Sequence, residues 1–309
     1  MIHILLASYN GETYLAEQLD SLLNQTEQDF VIFAQDDRST DGTYALLCDY
    51  AARYPEKIKV SQNAVNSGAA KWNFLNLIAN HDADYLMLCD QDDVWRPDKI
   101  ETTRKAMQEA EHRYGNHEPI LVFTDLCVVG EDLQVLHPSF RAMSRLNYQH
   151  TEMNRILVQN TLTGCTVLFN RSFRTLLNEL PKDCVMHDWW LMLVASAFAT
   201  ILPLENEQTV FYRQHRENVV GAVDPTTSAY ISSYVANRQK AKESFNRIYR
   251  QAEEFLRIYS GRLSADQKKL LEDFCAIPRK RKCGRILAML RLKTFKHGVL
   301  RVLGQFFYA

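Results

Sequence analysis

An α/β fold with a mainly parallel sheet flanked by helices is predicted from two patterns in the N-terminal part of the chain. Short apolar runs alternate with stretches of helical periodicity, and each run ends in a polar, turn-forming cluster. The first run is Ile2 to Ala7. An apolar stripe through Leu15, Leu19, Leu22 and Leu23 follows, then a second run from Phe30 to Ala34. The pattern repeats as a helix around Tyr44 to Tyr54, a strand around Ile58 to Ser61, a helix around Trp72 to Ala79 and a strand from Tyr85 to Cys89. Beyond a helix over Pro97 to Arg113 the regularity falls away. A strand at Ile120 to Phe123, a hairpin arm at Leu126 to Val129 and a strand near Cys165 to Phe169 predict a sheet that becomes mixed.

A chain of 309 residues, 46% of them hydrophobic, can bury a large core and lies at the upper size for one domain. One globular domain is expected over 1–222, with a helical extension over 223–309. The seven cysteines are scattered singly, which reads as reduced thiols in a cytoplasmic protein rather than a disulfide framework or a zinc site. Ile4 to Ala7 is too short for the apolar region of a secretory leader, so export is not expected. The uncharged run Trp189 to Leu204 contains Ser196, Thr200 and Pro203 and falls short of the about 20 apolar residues of a spanning helix. It is expected to form a buried helix followed by a strand. No Walker or GxGxxG loop is present.

In open α/β sheets ligands bind beyond the carboxyl ends of the strands. Three strand ends here are polar: Ser8-Tyr9-Asn10-Gly11, Gln35 to Gly42, and Asp90-Gln91-Asp92-Asp93. Clustered carboxylates repel one another, and a divalent cation bridging to phosphate oxygens relieves that repulsion while acting as a Lewis acid. Turn formation and capping of the following helix, with Pro97 and Asp98 at its start, account for the same residues without a metal. In the Asp36-Asp37 loop, capping needs one carboxylate, leaving a second free to accept the imide N–H of a uracil or thymine ring.

Ala7-Ser8-Tyr9-Asn10, the loop Asp36 to Gly42, Asn66-Ser67-Gly68 with Asn73, and Asp90-Gln91-Asp92-Asp93-Val94-Trp95 resemble, in order and spacing, glycosyltransferase family 2 with its nucleotide-diphospho-sugar transferase (GT-A) fold. The resemblance implies a nucleotide site formed by Ser8, Tyr9, Asn10, Asp37, Asn66, Gly68, Asn73 and Asp90. Asp37 falls at the base, Asp90 at the ribose or metal region, and Asp92 on the Mg²⁺ or Mn²⁺. Met186-His187-Asp188-Trp189-Trp190 falls where the family places its catalytic base, usually as Glu-Asp; His187 replaces the Glu and leaves Asp188 as the base. Tyr212-Arg213-Gln214-His215, followed by Asn218 and Gly221, resembles the late motif whose His completes the metal or diphosphate site. Asp93, Trp95, Thr163, Gly164, His187, Trp189 and Trp190 are the candidates for sugar or acceptor contacts.

The wording of these motifs is also similar to that of bacterial rhamnosyltransferases of surface polysaccharide. The implied reaction is inverting transfer of a sugar from a nucleoside diphosphate to a glycan or lipid-linked acceptor, with L-rhamnose from dTDP-rhamnose as the leading expectation. A UDP-hexose or UDP-N-acetylhexosamine donor is the alternative within the family. A sugar-phosphate nucleotidyltransferase would carry a Gly-rich loop with a basic residue, which Ser8-Tyr9-Asn10-Gly11 lacks. A non-catalytic sugar-nucleotide binder would be expected to lose Asp92 or Asp188.

The formal charge of −1 conceals an asymmetry. Arg279, Lys280, Arg281, Lys282, Arg285, Arg291, Lys293, Lys296 and Arg301 are nine cations with no acid among them, so the rest of the chain carries −10. Apolar residues Met289, Leu292, Phe295, Val299, Val302, Leu303 and Phe306 recur at helical spacing in this segment. The pattern predicts a basic amphipathic helix in peripheral contact with the anionic inner face of the cell membrane. Lys296, Gly298 and Gly304 interrupt it, which leaves packing against the body as the alternative. Nucleic acid is not expected as a partner, because the acidic body repels phosphate.

Overall fold

The computed structural model describes residues 1–215 and 238–308. The boundary expected at 222/223 and the motif residues Asn218 and Gly221 lie outside the described residues. The chain forms two compact units: 1–140, 162–178 and 199–221 in the first, and 141–161, 179–198 and 222–309 in the second.

The first unit is a mixed sheet with helices on it. Its strands are β1 (Ile2–Ser8), β2 (Phe30–Asp36), β3 (Ile58–Gln62), β4 (Tyr85–Cys89), β5 (Val94–Trp95), β6 (Ile120–Val129), β7 (Val135–His137), β8 (Val167–Asn170) and β9 (Thr200–Arg213). Their order is β3-β2-β1-β4-β8-β6-β9-β5, with β7 beside β6. The pairs among β1 to β4 are parallel, as the alternation of runs and helices requires. The sheet turns mixed at β8, which runs antiparallel to both β4 and β6. Leu15, Leu19 and Leu22 are completely buried on one face of the helix Glu12–Leu23.

Register decides where the loops emerge. Ser8 lies opposite Asp36, and Leu6 opposite Cys89, so the three polar clusters leave the sheet along one edge. The expected break between a strand ending at Phe123 and a hairpin arm starting at Leu126 does not occur. One strand runs through, because the polar pair in its middle is satisfied inside: Thr124 meets Thr209 Oγ1 at 2.7 Å, and Asp125 accepts from Ser139 Oγ at 2.5 Å. The pairing with β9 shifts register at that point.

In the second unit the helix His187–Phe198 is buried along Trp190 to Ala195. Trp190 packs edge-on against Phe255, with ring centroids 5.6 Å apart. The run from Trp189 is thus a core helix followed by β9, and no helix of the described residues is long and apolar enough to cross a membrane.

The single amphipathic tail helix expected from sequence is replaced by two helices, Lys282–Leu292 and Val299–Tyr308. Lys293 and Gly298, both at positive φ, break the helix between them. The intervening segment is built into the second unit. His297 N–H donates to Gln159 Oε1 at 2.7 Å, and its Nδ1 accepts from Asn147 N–H at 3.1 Å. Gln305 accepts from Lys296 N–H and donates to Thr294 O. Met289 is buried rather than part of an outer face.

Candidate functional site

The loop after β1 is tied to each of the other two strand-end loops. Gln91 clamps Tyr9 from both sides: its Oε1 accepts Tyr9 N–H at 2.7 Å and its Nε2 donates to Tyr9 O at 3.0 Å. Gly11 lies directly against Gln91, and a Cβ there would collide with that side chain. Asn10, left-handed at φ 49°, donates its N–H to Ser39 Oγ and accepts Thr40 N–H. The β1 turn and the Asp36-to-Gly42 loop are therefore one hydrogen-bonded surface.

Asp37 is almost fully buried, and its carboxylate already accepts from Asn63 Nδ2 at 2.6 Å, Ser67 N–H at 2.8 Å and Ser67 Oγ at 2.6 Å. Asn66 reaches back to Asp37 O and turns the chain into Gly68, at φ 84°. Asn73 is buried beneath this loop, exchanging hydrogen bonds with Gln35, so it braces the loop from inside.

From sequence alone, Asp37→Ala is expected to weaken nucleotide binding far more than the fold. The three donors on the carboxylate revise that expectation. The substitution should also lower stability by about 1–3 kcal/mol, the cost of a buried donor left unsatisfied. Calorimetry with UDP and dTDP beside a denaturant melt checks both. Reduced stability with unchanged nucleotide affinity would leave Asp37 as a loop brace.

The carboxylate loop after β4 is tied to the end of β9. Asp92 Oδ2 and His215 Nε2 are 2.8 Å apart, with the Tyr14 ring 4.9 Å from the imidazole. Arg213, 2% exposed, braces this contact. Its N–H donates to Asp93 Oδ1 at 3.1 Å, its Nε to Asp92 O at 2.9 Å, and its outer nitrogens to Glu131 O and the Glu17 carboxylate. The guanidinium also lies over the Tyr14 ring. One buried cation thus binds the loop that bears Asp92 to the end of the strand that leads into His215.

A carboxylate facing an imidazole, with Asp90 beside them in sequence, is a donor set that suits Mg²⁺ or Mn²⁺. A different group, Asp90, Asp93 and Cys165, also has its ligand atoms within 4.8 Å of one another. It is the poorer site. Burial raises the Asp93 carboxyl and the Cys165 thiol well above their usual ranges, and nearby carboxylates raise both further.

The remaining sequence candidates are placed as follows. Trp95 is buried in the first unit, and Gly164 starts the short 3₁₀ turn Gly164–Thr166 that buries Cys165, with Thr163 at its N-cap. In the second unit Asp188 sits in the first turn of His187–Phe198 rather than at its N-cap, and its Oδ1 accepts Trp189 N–H at 2.6 Å. His187 is buried and its pKa lowered to about 3 by desolvation, so it is a neutral imidazole and no reserve base at neutral pH. Trp189 donates its indole N–H to Ile156 O at 2.6 Å. Trp190, at 1% exposure, is a core residue and no wall for a sugar.

Sequence reasoning assigned no role to Gln91, Arg213 or Lys99. The first two sit inside recognised motifs, so their side-chain chemistry was visible but not their targets. Lys99 reads as an ordinary surface lysine at a helix start.

This strand order, with three polar loops on one carboxyl edge and a carboxylate–histidine pair joining β4 to β9, defines a GT-A glycosyltransferase fold. The family model for glycosyl transferase family 2 matches residues 3–173, and the chain belongs to that family. The dTDP-rhamnosyl transferase RfbG of Shigella flexneri is 29% identical over 227 residues, spanning 70% of this chain and 74% of that protein. Among solved structures, S. aureus TarS in complex with UDP-GlcNAc is similar at a TM-score of 0.56 and 16% identity, over 94% of this chain and 85% of that one. The mannosyltransferase PcManGT from Pyrobaculum calidifontis, in complex with GDP-Man and Mn²⁺, is similar at 0.55 and 13%, over 94% and 73%.

Proposed function

We propose that this chain transfers a sugar, with inversion, from a nucleoside diphosphate to a hydroxyl of a glycan or lipid-linked acceptor in cell-surface polysaccharide synthesis. The observation that carries the reading is the Asp92–His215 pair at the edge where the Tyr9, Asp37 and Asp90 loops converge. The donor proposed is dTDP-rhamnose, supported by the likeness to RfbG. Tyr9, Asn66 and Gly68 supply the exposed rim of the nucleotide site with half-buried Asn10 beside them, and Asp37 and Asn73 hold its shape. Asp92 and His215 would hold a divalent cation, which supplies Lewis-acid neutralisation of the departing diphosphate. Asp188 takes the proton from the acceptor hydroxyl as its oxygen attacks the anomeric carbon. The diphosphate leaves from the opposite face. Donor hydrolysis across dTDP-rhamnose and UDP-, GDP- and dTDP-hexoses tests the donor; preference for a UDP-hexose would replace rhamnose, and no turnover of any donor would sink the reading.

We also propose that the second unit docks on anionic lipid at the inner face of the cell membrane. The two C-terminal helices leave Leu287, Leu290, Val299, Leu300, Leu303 and Phe307 exposed. Exposed Arg279, Lys280, Arg281, Lys282, Arg291 and Lys293 lie in the same segment, a pairing of apolar and cationic surface that fits anionic headgroups. The residues differ from the stripe read off the sequence, and so does the appropriate test. A chain ending near Phe274, expected from sequence to stay folded, would lose the buried Ile277, Met289 and His297, and is expected to damage the second unit. Leu303→Ser with Phe307→Ser removes apolar surface and leaves the net charge unchanged. The pair should abolish sedimentation with phosphatidylserine vesicles and leave the melting temperature unchanged. Binding of the parent should also weaken with salt, since surface charges are screened over about 8 Å at physiological ionic strength. A parent chain that ignores anionic vesicles would refute the docking.

A further inference from the structure

Gln91 stands between Asp90 and Asp92, in the loop that bears the proposed cation ligand, yet its side chain turns to the loop after β1. Its amide meets both main-chain groups of one residue: Oε1 accepts Tyr9 N–H at 2.7 Å and Nε2 donates to Tyr9 O at 3.0 Å. That match needs an acceptor and a donor side by side, which a primary amide supplies. Gly11 makes room for it. An ideal Cβ on Gly11 would overlap the amide carbon and oxygen of Gln91 and come within 2.7 Å of its nitrogen. Backbone conformation does not call for this glycine, since its φ of −111° and ψ of 16° lie on the side of the map open to residues with a side chain. The Tyr9 side chain carried by the clamped backbone is exposed. On its other side the same turn is tied down independently. Asn10 N–H donates to Ser39 Oγ at 2.9 Å, and Gly11 N–H to Thr43 Oγ1 at 2.8 Å.

We propose that Gln91 is a positioning residue of the donor site: by clamping the Tyr9 backbone it couples the cation-bearing loop to the loop that meets the nucleotide, and position 11 is glycine to admit the clamp. The role rests on the nucleotide site proposed above. A main chain held in one conformation before the ligand arrives spares the entropy of ordering it on binding. Loss of the clamp leaves the contacts to Ser39 and Thr43 in place, so the turn persists while Tyr9 loosens. Affinity for the nucleotide, rather than the fold, is therefore what Gln91 sustains.

The test is a cycle of Gln91→Ala, Gly11→Ala and the two combined, read by calorimetry with UDP and dTDP in Mn²⁺, by donor KM and kcat, and by thermal melting. Gln91→Ala removes both hydrogen bonds and empties the space beside Gly11. Gly11→Ala keeps Gln91 in the chain but drives its amide off Tyr9. Each single change should weaken nucleotide binding about tenfold, equivalent to about 1.4 kcal/mol. Donor KM should rise in parallel, with kcat changing far less and the melting temperature staying near the parent's. The double variant should bind no more weakly than either single one, because Gly11→Ala then has no clamp to displace. Parental affinity in Gln91→Ala overturns the proposal. So do losses that add in the double variant, which would mean that the nucleotide itself needs the space at Gly11. A fall in melting temperature that accounts for the lost affinity would make Gln91 a brace of the fold, and also overturns it. Should Gly11→Ala alone fail to fold, folding regained in the double variant supports the steric link and failure to regain it refutes it. A parent that binds neither nucleotide removes the nucleotide site and the coupling with it, whereas equal binding by the parent and Gln91→Ala removes the coupling alone.

Discussion

Replacing Asp188 by Asn is expected to reduce sugar transfer by about 100-fold or more, the lower range for losing a general base. Donor and metal binding should stay within a few-fold of the parent. The exchange is isosteric, and the amide oxygen can still accept the Trp189 N–H that Asp188 Oδ1 accepts at 2.6 Å. What is lost is the ability to take a proton. A structural role in the first turn of the helix His187–Phe198 and a catalytic one therefore make different predictions: stability and turnover both stay near the parent in the first case, and turnover alone falls in the second. Calorimetry with the nucleotide, a thermal melt and a transfer assay on the same preparation separate them. Near-parental transfer would move the base elsewhere. Neutral, buried His187 would be a poor successor, and Asp93 is committed to Arg213.

The other large effect is expected at Asp92. Asp92→Asn removes the carboxylate charge while the amide can still face His215 at hydrogen-bonding distance. Transfer is expected to fall at least ~100-fold, the order seen when a single group stabilising transition-state charge is removed. Excess EDTA should abolish transfer by the parent. Added Mn²⁺ should restore it at least as well as Mg²⁺, because an imidazole ligand favours the softer ion. Full turnover in EDTA would leave the Asp92–His215 contact as a structural clasp. A thermal melt of Asp92→Ala distinguishes that outcome, since removal of the clasp would then show as lost stability.

How far the site could be read from sequence depended on what each residue does. Loop positions such as Asn10, Gly68 and Asp92 stood out because turn chemistry and charge clustering leave a local mark. Trp95 and Trp190 carried no such mark. An aromatic beside a motif looks the same whether it walls a ligand or fills a core, and only their burial, at 2% and 1% exposure, places both inside. The tail misled for a related reason. Its apolar periodicity was real, but Lys293 and Gly298 at positive φ divide it. Contacts from Asn147 and Gln159, more than a hundred positions away, then decide which residues face inward.

By itself the sequence determined the α/β alternation, the polar strand ends and the family, because periodicity, turn residues and motif spacing are short-range properties that survive being written on a line. Only the tertiary structure decided that Gln91 clamps Tyr9, that β6 runs unbroken through Asp125 and that Arg213 joins Asp92 to His215. It also placed Lys99 in the core, over the Trp95 ring. These depend on strand register and on the desolvation of particular atoms, which arise when residues as far apart as 92 and 215 are brought to one sheet edge and water is excluded from between them.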